Sequence, residues 1–146
     1  MKEVLELGSW QGESMQWLVV RRSDKSLTLL SRYLTEVPAV FGTLPKTQDE
    51  KLSRWLSRTF LPSLRKTTQA NVLGARLMTA EEARLLLEPD ERCACAHGSD
   101  HTEWWHLKST GDGYAVVSDC GDVCTRKTQW LAMARPVIEI EEESWT

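Results

Sequence analysis

EWWHLKSTGDGYAVVSDCGDVC, residues 103–124, decides how the rest of this 146-residue chain is read. Gly111-Asp112-Gly113 is hairpin-turn chemistry: glycine reaches the positive-φ backbone of tight turns and aspartate bonds its own backbone. It is not a phosphate loop, because no lysine and helix start follow it. The flanking runs TEWWHLKS (102–109) and GYAVVSD (113–119) are rich in aromatic and β-branched residues and read as strands. A second turn at Cys120-Gly121 leads to DVCTRKT (122–128), and ARPVIEI (134–140) supplies a further strand. Trp104 and Trp105 are adjacent on one strand, so their rings face opposite ways. One enters the core; the other lies on the second face, covered by a loop or exposed.

Working outward, VLELGSW (4–10), MQWLVVRR (15–22) and SLTLLSR (26–32) are short apolar runs joined by polar links, the pattern of a three-strand meander. Pro38, Gly42 and Pro45 punctuate an irregular stretch. Thr47-Gln48-Asp49-Glu50 fits a capping box, so a helix is expected from Thr47, with Leu52, Trp55, Leu56 and Phe60 on its buried stripe and Pro62 as its stop. Lys51, Arg54 and Arg58 fall on the other face, either a solvated surface or an anion patch. ARLM (75–78) reads as a short strand, and Thr79-Ala80-Glu81-Glu82 as a second capping box. Met78 and Ala83 are spaced for a hydrophobic staple, and Pro89 ends that helix. Strands, two central helices and then strands make an α+β chain, here a single domain over 1–146 with an acidic tail, 141–146, expected to fray.

The formal net charge of −3 provides no field to recruit nucleic acid or an anionic membrane. No apolar run approaches a bilayer span, so the expectation is a soluble, cytoplasmic protein. Seven tryptophans, each with an N–H that wants a partner when buried, imply a bulky and partly polar core.

The order of these elements resembles an uncharacterised bacterial and phage domain family. Its C-terminal signature runs W-W-L-R-S-P, then an alternating strand ending in a D-G turn, then G-V-R-P-A before the last strand. Trp105-His106-Leu107-Lys108-Ser109-Thr110 takes the first slot, Ala115 to Val123 the second, and Ala134-Arg135-Pro136-Val137 the third. GSWQGESMQWLVVRRSDKSLTLLSR, SRWLSRTF and ARLMTAEEARLLL are similar to its earlier elements. The resemblance implies a C-type-lectin-like fold, in the branch that holds the formylglycine-generating sulfatase-modifying factors and the variable proteins of diversity-generating retroelements. Histidine at 106, lysine at 108 and threonine at 110 depart from the signature. The departure at Lys108 removes a planar guanidinium.

Cys93-x-Cys95 and Cys120-x3-Cys124 are two close pairs, with His97, His101 and His106 as further donors. Four thiolates could hold zinc or copper, though zinc knuckles normally use C-x2-C; the alternative is ordinary thiols with no cofactor. The sulfatase-modifying enzymes imply an analogy between their copper-binding cysteines and Cys120/Cys124, an analogy of fold alone. No G-x-S-x-G elbow or Ser/His/Asp set is present, and His106, inside a strand, reads as a satisfied core histidine. Asp112, Asp119 and Asp122 cluster near turns and suit a weak calcium site or plain turn chemistry. An exposed tryptophan near Trp130 and Tyr114 would stack on a sugar or anchor a protein. The binding candidates are therefore Trp104, Trp105, Tyr114, Asp119, Asp122 and Trp130; Trp17, Trp55 and Arg135 read as structural. The expected function is a non-enzymatic module for a protein or glycan partner. A cysteine metal site with a structural or redox role, and an architectural subunit of a phage or bacterial assembly, are the alternatives.

Overall fold

The computed structural model describes residues 2–35, 45–109, 113–127 and 132–142. Trp130, the Gly111-Asp112 turn, Pro38, Gly42 and the tail beyond Glu142 lie outside the described residues. Ten strands are assigned among those described: β1 (Val4–Trp10), β2 (Glu13–Arg22), β3 (Ser26–Ser31), β4 (Val72–Arg76), β5 (Ala94–Cys95), β6 (Thr102–Glu103), β7 (Trp105–His106), β8 (Tyr114–Val117), β9 (Val123–Arg126) and β10 (Val137–Glu141). The helices are α1 (Pro45–Trp55), a π-helical turn Leu56–Phe60, α2 (Leu61–Arg65), α3 (Ala80–Leu86) and the single turn α4 (Pro89–Arg92). The expectation of an α+β chain with antiparallel sheets holds.

The expected meander forms, with β1, β2 and β3 paired in sequence. The full sheet is five-stranded, in the order β1-β2-β3-β10-β4. Its central strands are apolar on both sides because both faces are covered. Leu27, Leu29, Ile138 and Ile140 join Trp17, Leu52, Leu56, Phe60 and Leu64 in one core, under the helices. Leu30 and Val137 point the other way and pack with Met78, Ala83, Trp105, Leu107 and Val117. The sheet is thus the middle layer between the α1–α2 helices and the three-stranded sheet β7-β8-β9. Gly8 takes φ +68° at a bulge in β1, and a Cβ there would lie 2.5 Å from Leu64 Cδ1, so only glycine lets strand and helix approach this closely.

Several boundaries differ from those read in the sequence. The first helix begins at Pro45, where a missing N–H costs nothing, so Thr47 lies inside it instead of capping it. Asp49 instead accepts from the backbone N–H of Ser109 at 2.9 Å. Pro62 does not stop the helix. The chain widens into the π-turn just before it, Leu61 N–H bonding Leu56 O, and restarts as α2 with Pro62 in its first turn, a position where proline needs no donor. The strand expected at 75–78 lies at Val72–Arg76, and the run 102–109 breaks into β6 and β7, which belong to different sheets. Two central helices become three helical segments, because Pro89 ends nothing already formed and opens α4.

The second capping box is present in full. Thr79 Oγ1 accepts from Glu82 N at 3.1 Å and Glu82 Oε1 accepts from Thr79 N at 3.0 Å. Met78 and Ala83, the staple residues, are both fully buried in one cluster. No helix among the described residues is long and apolar enough to cross a membrane.

Candidate functional site

The two tryptophans of the opening stretch separate as their alternation requires. Trp105 is buried, donates from Nε1 to Arg92 O at 2.9 Å and lies under the Arg135 guanidinium, whose carbon is 4.9 Å from the ring centroid. Trp104 is half-buried on the other face, with the Arg126 guanidinium 5.6 Å over its ring. Tyr114, Val116 and His106 nearby are buried, while Arg126 is half-buried. Tyr114 is only 3 % exposed, so the expected aromatic surface of Trp104, Trp105 and Tyr114 reduces to Trp104. The physical reason is that both faces of β8 are covered, leaving all four of its residues buried. His106, also buried, bonds the backbone of Ala132, and burial pushes its imidazole down to about 4. It is neutral at neutral pH and suits a core position, as expected of a strand histidine.

The hairpin tip is where the sequence places it. Gly121 has φ +86°, Ser118 Oγ accepts from Cys120 N and Asp122 N, and Gly121 N bonds Ser118 O at 3.0 Å. Asp119, Cys120 and Asp122 project there, exposed. All four cysteines are free thiols, and among the described residues no three or more His, Cys, Asp or Glu side chains converge as a metal-binding group. A hydrogen bond to the Asp119 carboxylate raises the Cys120 thiol above its ordinary range, and burial raises Cys124. Both shifts oppose the thiolate that a metal or a nucleophilic mechanism uses.

Of the structural candidates, Trp17 and Arg135 occupy the interior and the half-buried Trp55 packs against it. Trp17 is fully buried and donates from Nε1 to Leu7 O at 2.9 Å; Trp55 packs edge-on against Trp10, ring centroids 5.6 Å apart. Arg135, 2 % exposed, donates from Nε to Ser31 O and from Nη1 to Glu91 O, both at 2.8 Å. Burial pulls its guanidinium down to about 9, so it remains a cation at neutral pH. It ties together β3, α4 and Trp105.

A feature that sequence reading missed lies on the opposite side of β2. A cleft of about 310 Å³ opens between the β1–β2 hairpin and the loop after β5. Its buried lining includes Met15, Leu34 and Thr35, with Trp10, Tyr33 and His97 around it. Isolated bridges hold the site in place: Leu34 pairs with Ala96, and Thr35 with Ala134. His97 Nδ1 lies 3.1 Å from Glu13 Oε2, and its ring meets Tyr33 edge-on at 5.0 Å. His97 was a metal candidate beside the cysteines; the fold turns it to this cleft. The contributing segments are about 10, 33, 97 and 133 along the chain, so no local pattern announces the site.

No family model, curated protein or solved structure matches this chain.

A second cleft, of about 350 Å³, lies between α1 and the β4–α3 unit. Two of its charges are paired with each other. Arg76 grips Glu82 through both nitrogens, at 2.7 and 2.8 Å, and that hydrogen-bonded guanidinium lowers the Glu82 carboxyl to about 2.

Proposed function

We propose that this chain is a non-enzymatic binding module of C-type-lectin-like architecture, and that it holds a protein or glycan partner at the Trp10–Tyr33–His97 cleft. The observation that carries the reading is the cleft itself: about 310 Å³, within the size range of ligand sites, walled by half-exposed rings and pinned by β-bridges on two sides. Three of the reactive groups are in states poorly suited to chemistry. The buried imidazole of His106 is neutral and held in a strand, while the Cys120 and Cys124 thiols are held toward the protonated form.

The test is capture of a partner from the native host on immobilised wild-type chain and on two variants. Tyr33→Ala/His97→Ala removes ring surface from the cleft at a half-buried and an exposed side chain, both outside the buried core, and the far-ultraviolet circular dichroism of the variant checks that the fold persists. Trp104→Ala changes the C-terminal sheet alone. The expected outcome is loss of capture by at least about tenfold in the first variant, as for central aromatic contacts, and retention in the second. Retention in the first with loss in the second moves the contact surface to the C-terminal sheet.

A further inference from the structure

What the cleft offers a ligand is more apolar than polar, because several of its polar side chains are engaged within the chain. Ser31 Oγ donates to Tyr33 O at 2.6 Å, and Thr35 Oγ1 to Ala134 O at 3.3 Å. Ser14 Oγ donates to Glu6 Oε1 at 2.6 Å, and Gln16 Oε1 accepts from Arg32 at 2.7 Å. Glu13 faces His97. Trp10 is half-buried, yet its Nε1 is the buried side-chain polar atom without a hydrogen-bond partner among those described. The part of the indole that reaches the cleft is therefore carbon. Together with Met15, Leu34 and Met133 this makes a thioether- and aliphatic-lined interior, a surface that adapts to varied apolar side chains. A sugar entering it would give up water at several hydroxyls and find the Ser14, Ser31 and Thr35 protons already donated, which is costly.

The mouth is charged. The Glu13 carboxylate stands at the rim with 61 % of its side chain exposed, and Glu6 is bonded to the lining residue Ser14. Arg32 is the compensating cation beside Tyr33, 5.5 Å from its ring centroid. Two carboxylates stand there against one guanidinium, so acidic side chains outnumber basic ones at the rim.

Resting on the reading of this cleft as the binding site, we propose that its occupant is a polypeptide segment: an apolar side chain enters the Trp10–Met15–Leu34–Met133 interior, and flanking basic residues face Glu13 and Glu6. Apolar burial supplies the affinity, and the carboxylates set which sequences dock.

The experiment uses the full chain, labelled with nitrogen-15, and reads the Trp10 indole resonance, assigned by Trp10→Phe, together with the backbone amides of Ala96 and His97. Four probes are titrated: end-blocked Gly-Lys-Leu-Lys-Gly, the same peptide with serine for leucine, the same peptide with glutamates for both lysines, and maltose. Saturable shifts at these positions with the first peptide are expected. Affinity should fall at least about tenfold with serine, the cost of one unburied leucine, and further with Glu13→Lys in the protein. Equal response to the leucine and serine peptides overturns the proposal, as does an unchanged affinity in Glu13→Lys. Shifts with maltose alone overturn it while leaving the cleft as the binding site. Silence from all four probes also overturns it, and the capture experiment with Tyr33→Ala/His97→Ala then decides separately whether the cleft binds anything.

Discussion

Arg135 is the side chain whose removal tests the packing argument most sharply. It is buried, donates to carbonyls on two segments 60 residues apart in sequence, Ser31 and Glu91, and covers the Trp105 ring. Each charge-assisted hydrogen bond contributes about 2 kcal/mol and the ring contact about 1 kcal/mol, so Arg135→Met forfeits about 5 kcal/mol. Methionine no longer buries a cation, however, and that relief returns about 2–3 kcal/mol. The net loss is about 2–3 kcal/mol, which for a chain of this length lowers the melting temperature by about 5–10 °C. Arg135→Lys is the telling comparison. Lysine keeps the desolvation cost, while its single ammonium cannot span two carbonyls held by the fork of a guanidinium, so it should be no more stable than Arg135→Met. Urea unfolding of the three proteins, with the denaturant slope checked for constancy, measures the order. A lysine variant as stable as wild type would refute the two-pronged account, and a methionine variant within 1 kcal/mol of wild type would show that desolvation cancels the grip entirely.

Further outcomes follow from the same structure. Thr79→Ala removes the cap hydrogen bond to Glu82 N and should cost about 1 kcal/mol by urea unfolding. Glu82 is held near 2 by Arg76 against an ordinary 4.5, so its contribution is complete above about pH 4.5 and is lost as pH falls toward 2. Glu82→Gln should flatten the acid limb of a stability–pH profile. His106 behaves in the opposite chemical sense with the same pH direction. Its folded value of about 4 lies below the unfolded 6.5, so the unfolded chain binds the extra proton and stability drops as pH falls from about 6.5 to 4. The loss is on the order of 2–3 kcal/mol and should be absent in His106→Phe if that variant folds, or shown directly by imidazole NMR titration in wild type. Gly121→Ala places a Cβ 2.9 Å from Pro89 O on a backbone of φ +86°, and should destabilise by more than about 1 kcal/mol while Gly12→Ala, also at positive φ but with open space, costs less.

Local chemistry made part of this fold readable. The capping box and staple at Met78–Ala83, the Cys120-Gly121 turn, the opposed rings of Trp104 and Trp105 and the early meander all depend on residues a few positions apart, and all occur as the sequence states them. Pro62 misled because a proline stops a regular α-helix, whereas a π-turn in front of it changes the hydrogen-bond partners it must interrupt. The run 102–109 looked like one strand because periodicity cannot see that Thr102–Glu103 and Trp105–His106 choose different partners. Tyr114 was placed on a surface for a similar reason: alternation reports two faces, but not that both are covered. The cleft was illegible altogether. It is assembled by pairings such as Leu34 with Ala96, whose cost in loop closure is met only once the whole sheet has formed.

The position of β10 has a consequence for how such a chain comes into being. It lies between β3 and β4, bonded to both, so during synthesis the main sheet stays split until residues 137–141 leave the ribosome. Until then β3 and β4 each present an unmatched backbone edge, and a nascent or truncated chain is open to pairing with its neighbours. Any fragment that stops before Val137 is thus predisposed to aggregate, and a supplied peptide of that strand is the natural means to rescue it.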